Sequence, residues 1–149
     1  MKGEVNDMRI THEADYAIRV ACCLAFSGEK IGAKQISEST GVTLRFALKI
    51  LRKLIQADIV KSFKGANGGY MLNRSPAEIS FGEIIECIDG TIAINHCLTG
   101  EFDCTRVAQK RDCNFRRVFS TVNQRLREDL YQITLDQFLP CTPEINTIN

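Results

Sequence analysis

No apolar run in this sequence approaches the roughly 18 to 20 residues that would span a bilayer. The opening MKGEVNDMRI also lacks the apolar core of a secretory signal. Low-complexity tracts are missing, and 44% hydrophobic against 25% charged residues leaves no compositional case for disorder. The expectation is a cytoplasmic protein without a membrane partner, one domain of 149 residues with a long peripheral element. Net charge is nearly absent as well, at +1. Cysteine is not scarce: there are seven, an odd number that cannot all pair within one chain. Cytoplasmic thiols are kept reduced, so a disulfide framework gives way to thiolate chemistry or a metal as the question.

The small net charge hides segregation. Residues 43–65 hold six basic side chains (Arg45, Lys49, Arg52, Lys53, Lys61 and Lys64) against one acid, Asp58. Residues 75–104 hold six acids and no Lys or Arg. A basic segment of that density suits phosphate, because each phosphate neutralised releases condensed counterions. By count alone a solvated helix face is the favoured reading.

Periodicity separates these readings. Ala14, Ala17, Ile18, Ala21, Leu24 and Ala25 recur at helical spacing over 12–26, with Thr11 as N-cap and Ser27-Gly28 as the break. A shorter helix over 33–40 ends at Gly41, and Thr43 is placed to cap a third over 44–57. The third carries an apolar stripe of Leu44, Ala47, Leu48, Leu51, Leu54 and Ile55, with Arg45, Lys49, Arg52 and Gln56 opposite. Two β-prone runs follow, 59–63 and 70–72, joined by KGANGG, where Asn67-Gly68 favours positive φ in a hairpin turn. Two helices, a short turn, a basic outward face and a hairpin predict a winged helix-turn-helix with Lys61 and Lys64 on the wing.

Beyond the wing, Ser80-Phe81-Gly82-Glu83 predicts a capping box opening a helix that Asp89-Gly90 closes. After an irregular segment, Phe115, Val118, Phe119, Val122, Leu126, Leu130 and Ile133 form a long helical stripe. No second core-sized segment remains for that helix to cover, so the stripe predicts a two-fold dimer interface, with packing onto its own domain as the alternative. Thr134 caps a last turn, and Pro140 begins a frayed tail that includes Cys141. The fold class is mainly α with a small β-hairpin wing: a winged helix-turn-helix DNA-binding domain over 8–80, a connecting helix and cysteine loop over 81–114, a C-terminal dimerisation helix and final turn over 115–139, and a tail over 140–149.

The irregular segment HCLTGEFDCTRVAQKRDCN holds Cys97, Cys104 and Cys113, with six and eight residues between them. An irregular loop so spaced suits an iron-sulfur cluster, which takes Cys thiolates. The two-residue spacing of structural zinc knuckles is absent, although zinc held by three cysteines and a histidine remains an alternative. Three cysteines are one ligand short for either metal group. Cys22, Cys23 and Cys87 fall on helices, where cysteine behaves as a small apolar residue, and burial is expected for them.

MRITHEADYAIRV, KQISESTGV, LRKL followed by KGANGGYML, ISFGEIIECIDG, the three-cysteine loop and ITLDQFL together resemble the Rrf-type winged-helix regulators, the IscR-, NsrR- and RirA-like proteins. The resemblance runs over nearly the whole chain from Met8. It implies a homodimeric, non-enzymatic transcription regulator, a repressor, that binds a palindromic double-stranded operator and carries an iron-sulfur cluster, [4Fe–4S] favoured over [2Fe–2S]. IscR-like members place a histidine three residues after the third cysteine, where this sequence has Arg116, which cannot ligate. Asp15 matches the aspartate that NsrR-like members supply from the partner subunit. His96 and an exogenous or small-thiol ligand are the other candidates for the fourth position, and an Asp15 ion pair with Arg19 is the structural alternative. By the family pattern Arg45, Leu48 and Lys49 read bases, with Arg52 and Lys61 beside them, and Lys64 reaches the minor groove. Arg or Lys pairs with guanine, whereas Leu48 touches only a thymine methyl. The expected signal is iron, cluster status, oxygen or nitric oxide. A zinc- or thiol-redox-regulated DNA-binding protein is the alternative, and an electron carrier the more distant one.

Overall fold

The computed structural model describes residues 9–100, 104, 105 and 113–139. Met8, Glu101, Asp103, Pro140, Cys141 and the rest of the expected tail lie outside the described residues. The order is α1 (His12–Ser27), α2 (Ala33–Thr40), α3 (Leu44–Gln56), β1 (Val60–Phe63), β2 (Gly69–Leu72), α4 (Phe81–Asp89) and α5 (Asn114–Gln132), with 3₁₀ turns at Pro76–Glu78, His96–Leu98 and Leu135–Phe138.

α1 is the hub against which α2, α3, α4 and β2 pack. Its buried face explains this: Ala14, Ala17, Ala21 and Ala25 are small enough to admit neighbouring backbones, and Val20 and Leu24 fill the gaps between them. Thr11 Oγ1 accepts from the Ala14 N–H at 3.1 Å, as the N-cap reading requires. Ile36, Ile50, Leu51, Leu54, Ile59 and Ile84 complete a core from which water is excluded. Each such side chain contributes roughly 1.5 to 3 kcal/mol of burial.

In α3 the inward stripe differs from the sequence expectation. Ala47, Ile50, Leu51 and Leu54 are buried, while Leu44 and Leu48 are 44% and 40% exposed. Apolar residues lie on more than one face of this helix, and packing against α1 and α2 selects the face centred between Ile50 and Leu54. Thr43 occupies the N-cap position, but its hydroxyl makes no capping bond. α3 ends with Asp58 at φ 60, the Ile59 N–H donating to Leu54 O and the Asp58 N–H to Ile55 O. Those bonds form a Schellman closure usually given to glycine. Asn73 Nδ2 holds the Asp58 carboxylate at 2.7 Å.

β1 and β2 pair antiparallel, Val60 opposite Leu72 and Phe63 opposite Gly69. Ile31 adds a bridge to Tyr70, tying the wing to the link between α1 and α2. The hairpin turn departs from the Asn67-Gly68 expectation. Gly65 (φ 99) takes the left-handed conformation, and the Gly68 N–H donates to Gly65 O across Ala66 and Asn67, neither of which has positive φ.

Ser80 caps α4 by accepting from the Glu83 N–H, but the reciprocal half of the box is missing because Glu83 pairs with Arg74. The complete box lies one turn earlier, between Ser75 and Glu78. After α5 the chain returns to this segment: the Phe81 N–H donates to Ile133 O, the Leu135 N–H donates to Ile79 O, and Leu135 is fully buried in the core.

Close packing of α4 on α5 passes through Gly82, where an added Cβ would overlap the Tyr131 ring. Gly82→Ala is expected to destabilise the fold by about 1 to 2 kcal/mol, overpacking outweighing the gain in helix propensity. In a Tyr131→Ala background the same change becomes stabilising. Urea denaturation of the four proteins measures both signs, and a stabilising Gly82→Ala in the otherwise unchanged protein would refute the clash.

Candidate nucleic-acid interface and cysteine site

The outward surface of α3 presents Arg45, Leu48, Lys49 and Arg52 together, all exposed, and Thr43, Leu44 and Phe46 line the same shallow depression. Lys61 and Lys64 stand exposed on the wing. Phe63 lies between them, with the Lys61 and Lys30 ammonium groups 5.8 and 5.0 Å from its ring centroid. Arg45 and Arg52 have no acidic partner among the described residues. The lysines of the helix do: Glu13, on the first turn of α1, receives Lys49 Nζ at 2.9 Å and Lys53 Nζ at 2.7 Å. The ion pair with Lys53 first, and then the hydrogen bond from Lys49, hold the Glu13 carboxyl below the usual carboxylate range, against the opposing effect of burial. This pairing spans elements 36 residues apart, and no local pattern in the sequence announces it.

Cys97, Cys104 and Cys113 line one cavity of about 220 Å³ together with Asn95, Arg116 and Phe119. Cys97 sits in the 3₁₀ turn, its N–H donating to Asn95 Oδ1 at 3.1 Å. Cys113 is the N-cap of α5, and its Sγ accepts from the Arg116 N–H at 3.5 Å. The partial positive charge of the helix N-terminus therefore faces that sulfur. Arg116 Nε also donates to Cys97 O at 3.0 Å. The residue that cannot ligate instead ties the first cysteine to the third. Among the described residues no three His, Cys, Asp or Glu side chains converge where a single metal ion could sit. The three cysteines thus share the lining of one cavity without forming a preformed single-ion site among the described residues.

Neither protein candidate for a fourth ligand lines this cavity within one chain. Asp15 is on α1, ion-paired with Arg19 at 2.8 Å. His96 adjoins Cys97 but is exposed, and its carbonyl caps the turn by accepting from Thr99. Cys22, Cys23 and Cys87 pack against the core half-buried, and burial raises all three thiols above the usual range.

A basic helix beside a hairpin wing and a three-cysteine cavity at the foot of a long helix give the architecture its meaning, and sequence comparison agrees. The family described as "Rrf2: Iron-dependent Transcriptional regulator" matches residues 10–140. The chain belongs to the Rrf2 family. It is thus a DNA-binding transcriptional regulator, not an enzyme. "Protein aau3" of Rhizobium meliloti is 30% identical, the match covering 93% of this chain and 90% of that protein. Among solved structures, T. potens IscR superposes with a TM-score of 0.64 at 26% identity over 87% of this chain and 84% of the other. The cysteine regulator CymR of B. subtilis superposes with a TM-score of 0.70 over 87% and 95% of the two chains; at 22% identity it shows the fold alone.

In this Rrf2 chain a further set of residues positions α5, and the sequence reading passed over it. Glu86 of α4 accepts from Arg127 Nε and Nη2 at 2.7 and 2.9 Å, from the Tyr131 hydroxyl at 2.6 Å and from the Ile92 N–H at 3.0 Å. Asn123 brackets the connecting segment, accepting from the Ile94 N–H and donating to Ile92 O. Arg116, Asn123 and Arg127 are spaced seven and four apart, one face of a helix. α5 is therefore docked by polar side chains, while Phe115, Val118, Phe119, Val122 and Leu126 of its apolar stripe are all exposed. No described helix is long and apolar enough to cross a membrane.

Proposed function

We propose that this Rrf2 regulator is a cytoplasmic homodimeric repressor whose affinity for a palindromic operator depends on an iron-sulfur cluster at Cys97, Cys104 and Cys113. The observation that carries this reading is that Cys97, Cys104 and Cys113 all line one cavity at the N-terminus of α5. When bound, the cluster supplies an iron centre that reacts with oxygen or nitric oxide or is lost with iron, and [4Fe–4S] is favoured over [2Fe–2S]. Asp15 of the partner subunit is the proposed fourth ligand, with His96 and an exogenous or small-thiol ligand as the alternatives. Asp15 does not line the cysteine cavity of its own chain, and on α1 it pairs with the exposed Arg19, a pairing worth a few tenths of a kcal/mol. That cost is small enough for ligation to displace.

The chain's own contacts supply the coupling. Arg116 binds the Cys97 carbonyl and belongs to the first turn of α5, so a shift of the thiolates is a shift of α5. On α1, Asp15 stands two residues from Glu13, which grips α3 through Lys49 and Lys53. Force at Asp15 is felt at the DNA-facing helix. Readout falls to Arg45, Leu48, Lys49 and Arg52 of α3, with Lys61 and Lys64 on the wing against the flanking backbone and groove.

Protein purified without air should carry iron and inorganic sulfide and absorb in the visible. Holo protein should bind a duplex selected from a random pool at least tenfold more tightly than apo protein at the same salt. Equal affinities would sink the switch. Colourless, zinc-containing protein would replace it with the zinc- or thiol-regulated alternative.

A further inference from the structure

The geometry points to Glu13 as a specificity-determining residue of the DNA interface: by pairing with Lys49 and Lys53 of α3, it withholds two cations from sequence-independent contact with phosphate. Four basic side chains lie along α3, at positions 45, 49, 52 and 53. They divide by chemistry. The two arginines, whose planar forks match the paired acceptors of guanine, are exposed and have no acidic partner among the described residues. The two lysines, point charges that serve phosphate equally well in any sequence, converge on one carboxylate at 2.9 and 2.7 Å.

The Glu13 side chain is only 19% exposed, so water screens this arrangement less than an ordinary surface pair. It is also anchored on a rigid element. Glu13 lies in the first turn of α1, whose neighbouring Ala14 and Ala17 are wholly buried, so the carboxylate cannot follow the lysines toward DNA without moving the hub of the fold. A lysine reaching for phosphate must leave Glu13 behind, and a partly desolvated carboxylate left alone is costly. Sequence-independent binding rests on such phosphate contacts and loses their counterion release. Arg45 and Arg52 are untouched by Glu13, so the contribution most suited to base edges is preserved. The ratio of specific to non-specific binding rises although total attraction falls, discrimination obtained by weakening the wrong complex. Lys49, half-exposed, stays within reach of a base edge, its availability set by Glu13.

The inference rests on α3 being the DNA-facing helix, and the experiment separates the two. Anisotropy titrations with a labelled random-sequence duplex, from about 50 to about 200 mM salt, give the slope of log affinity on log salt. Glu13→Gln should steepen that slope by about one to two, at about 0.9 per added phosphate contact, and tighten random-duplex binding about tenfold or more at the lowest salt. Binding to a selected operator should tighten less. Adding Lys49→Gln and Lys53→Gln to Glu13→Gln should return the slope to that of the unaltered protein. A slope unchanged or shallower in Glu13→Gln overturns the proposal. A second arm holds even if that variant folds poorly: in the unaltered background, Lys53→Gln should change the slope much less than Arg52→Gln does. Equal losses overturn the proposal as well. If neither Arg45→Gln nor Arg52→Gln weakens binding, it is the placement of α3 on DNA that fails.

Discussion

Val122→Glu is expected to convert the proposed homodimer to a monomer of 16.7 kDa and to remove measurable operator binding. Val122 lies at the middle of the α5 stripe and is 49% exposed, with Phe119 and Leu126 one turn to either side at 37% and 39%. α5 gives its own domain the polar side chains Arg116, Asn123 and Arg127, so the stripe is not a surplus of the intrachain packing but a separate face. A contiguous apolar face of this length on a helix fixed in place calls for a partner surface, and a second copy supplies the same face by two-fold symmetry. Symmetry also doubles the penalty, because one substitution buries two carboxylates. At about 2 kcal/mol each for a desolvated charge without a partner, the dissociation constant rises on the order of a thousandfold. A monomer presents one recognition helix to a palindrome and loses the linked second half-site. Light scattering on the eluting protein reads the mass directly. A Val122→Glu protein that remains dimeric at micromolar concentration would move the interface elsewhere.

The two ends of the molecule were not equally legible from sequence. Thr11, Gly28 and Gly41 are local signals, and the helices they bound appear where such signals place them. The basic face of α3 and the stripe of α5 are also local, since each is a period within one helix. What escaped was settled between elements. Leu48 fits an apolar stripe as well as Ile50 does, and only the presence of α1 and α2 turns Ile50 inward and leaves Leu48 beside Arg45 and Arg52. Asp58 takes a left-handed conformation that its type does not advertise, held by Asn73 from across the hairpin. Asn67, which does advertise one, has no such φ. At the cysteine cavity the spacing signalled a shared ligand set, yet Arg116 looked like a missing histidine. Its bond to the Cys97 carbonyl depends on how α5 lies against the preceding turn, which residue spacing cannot encode.

Glu86→Gln should cost on the order of 2 kcal/mol at neutral pH, a figure discounted for the partial exposure of Arg127. The penalty should fade in acid. The paired hydrogen bonds of Arg127 are the main cause that pulls the Glu86 carboxyl down to about 2, with Tyr131 and the Ile92 N–H adding to them against desolvation. A group whose folded value lies below its unfolded one, 4.5 here, stabilises fully above the unfolded value. That stabilisation is lost as pH falls from about 4.5 toward about 2, because the folded state must then give up its charge. Urea denaturation of both proteins along this range should therefore show a gap that is constant near neutrality and closes in acid. Other carboxylates titrate in both proteins and cancel in the difference. A gap that persists unchanged at the acid end would mean that Glu86 acts through shape and neutral hydrogen bonds, not through its charge. The consequence reaches the cysteine site, since Glu86 fixes Ile92 and α5 together, and Asn123 and Arg116 hold the chain from Ile94 to Cys97 against that same helix. Loosening α5 at Glu86 should thus leave the winged domain folded while the three-thiol cavity retains less iron after anaerobic reconstitution.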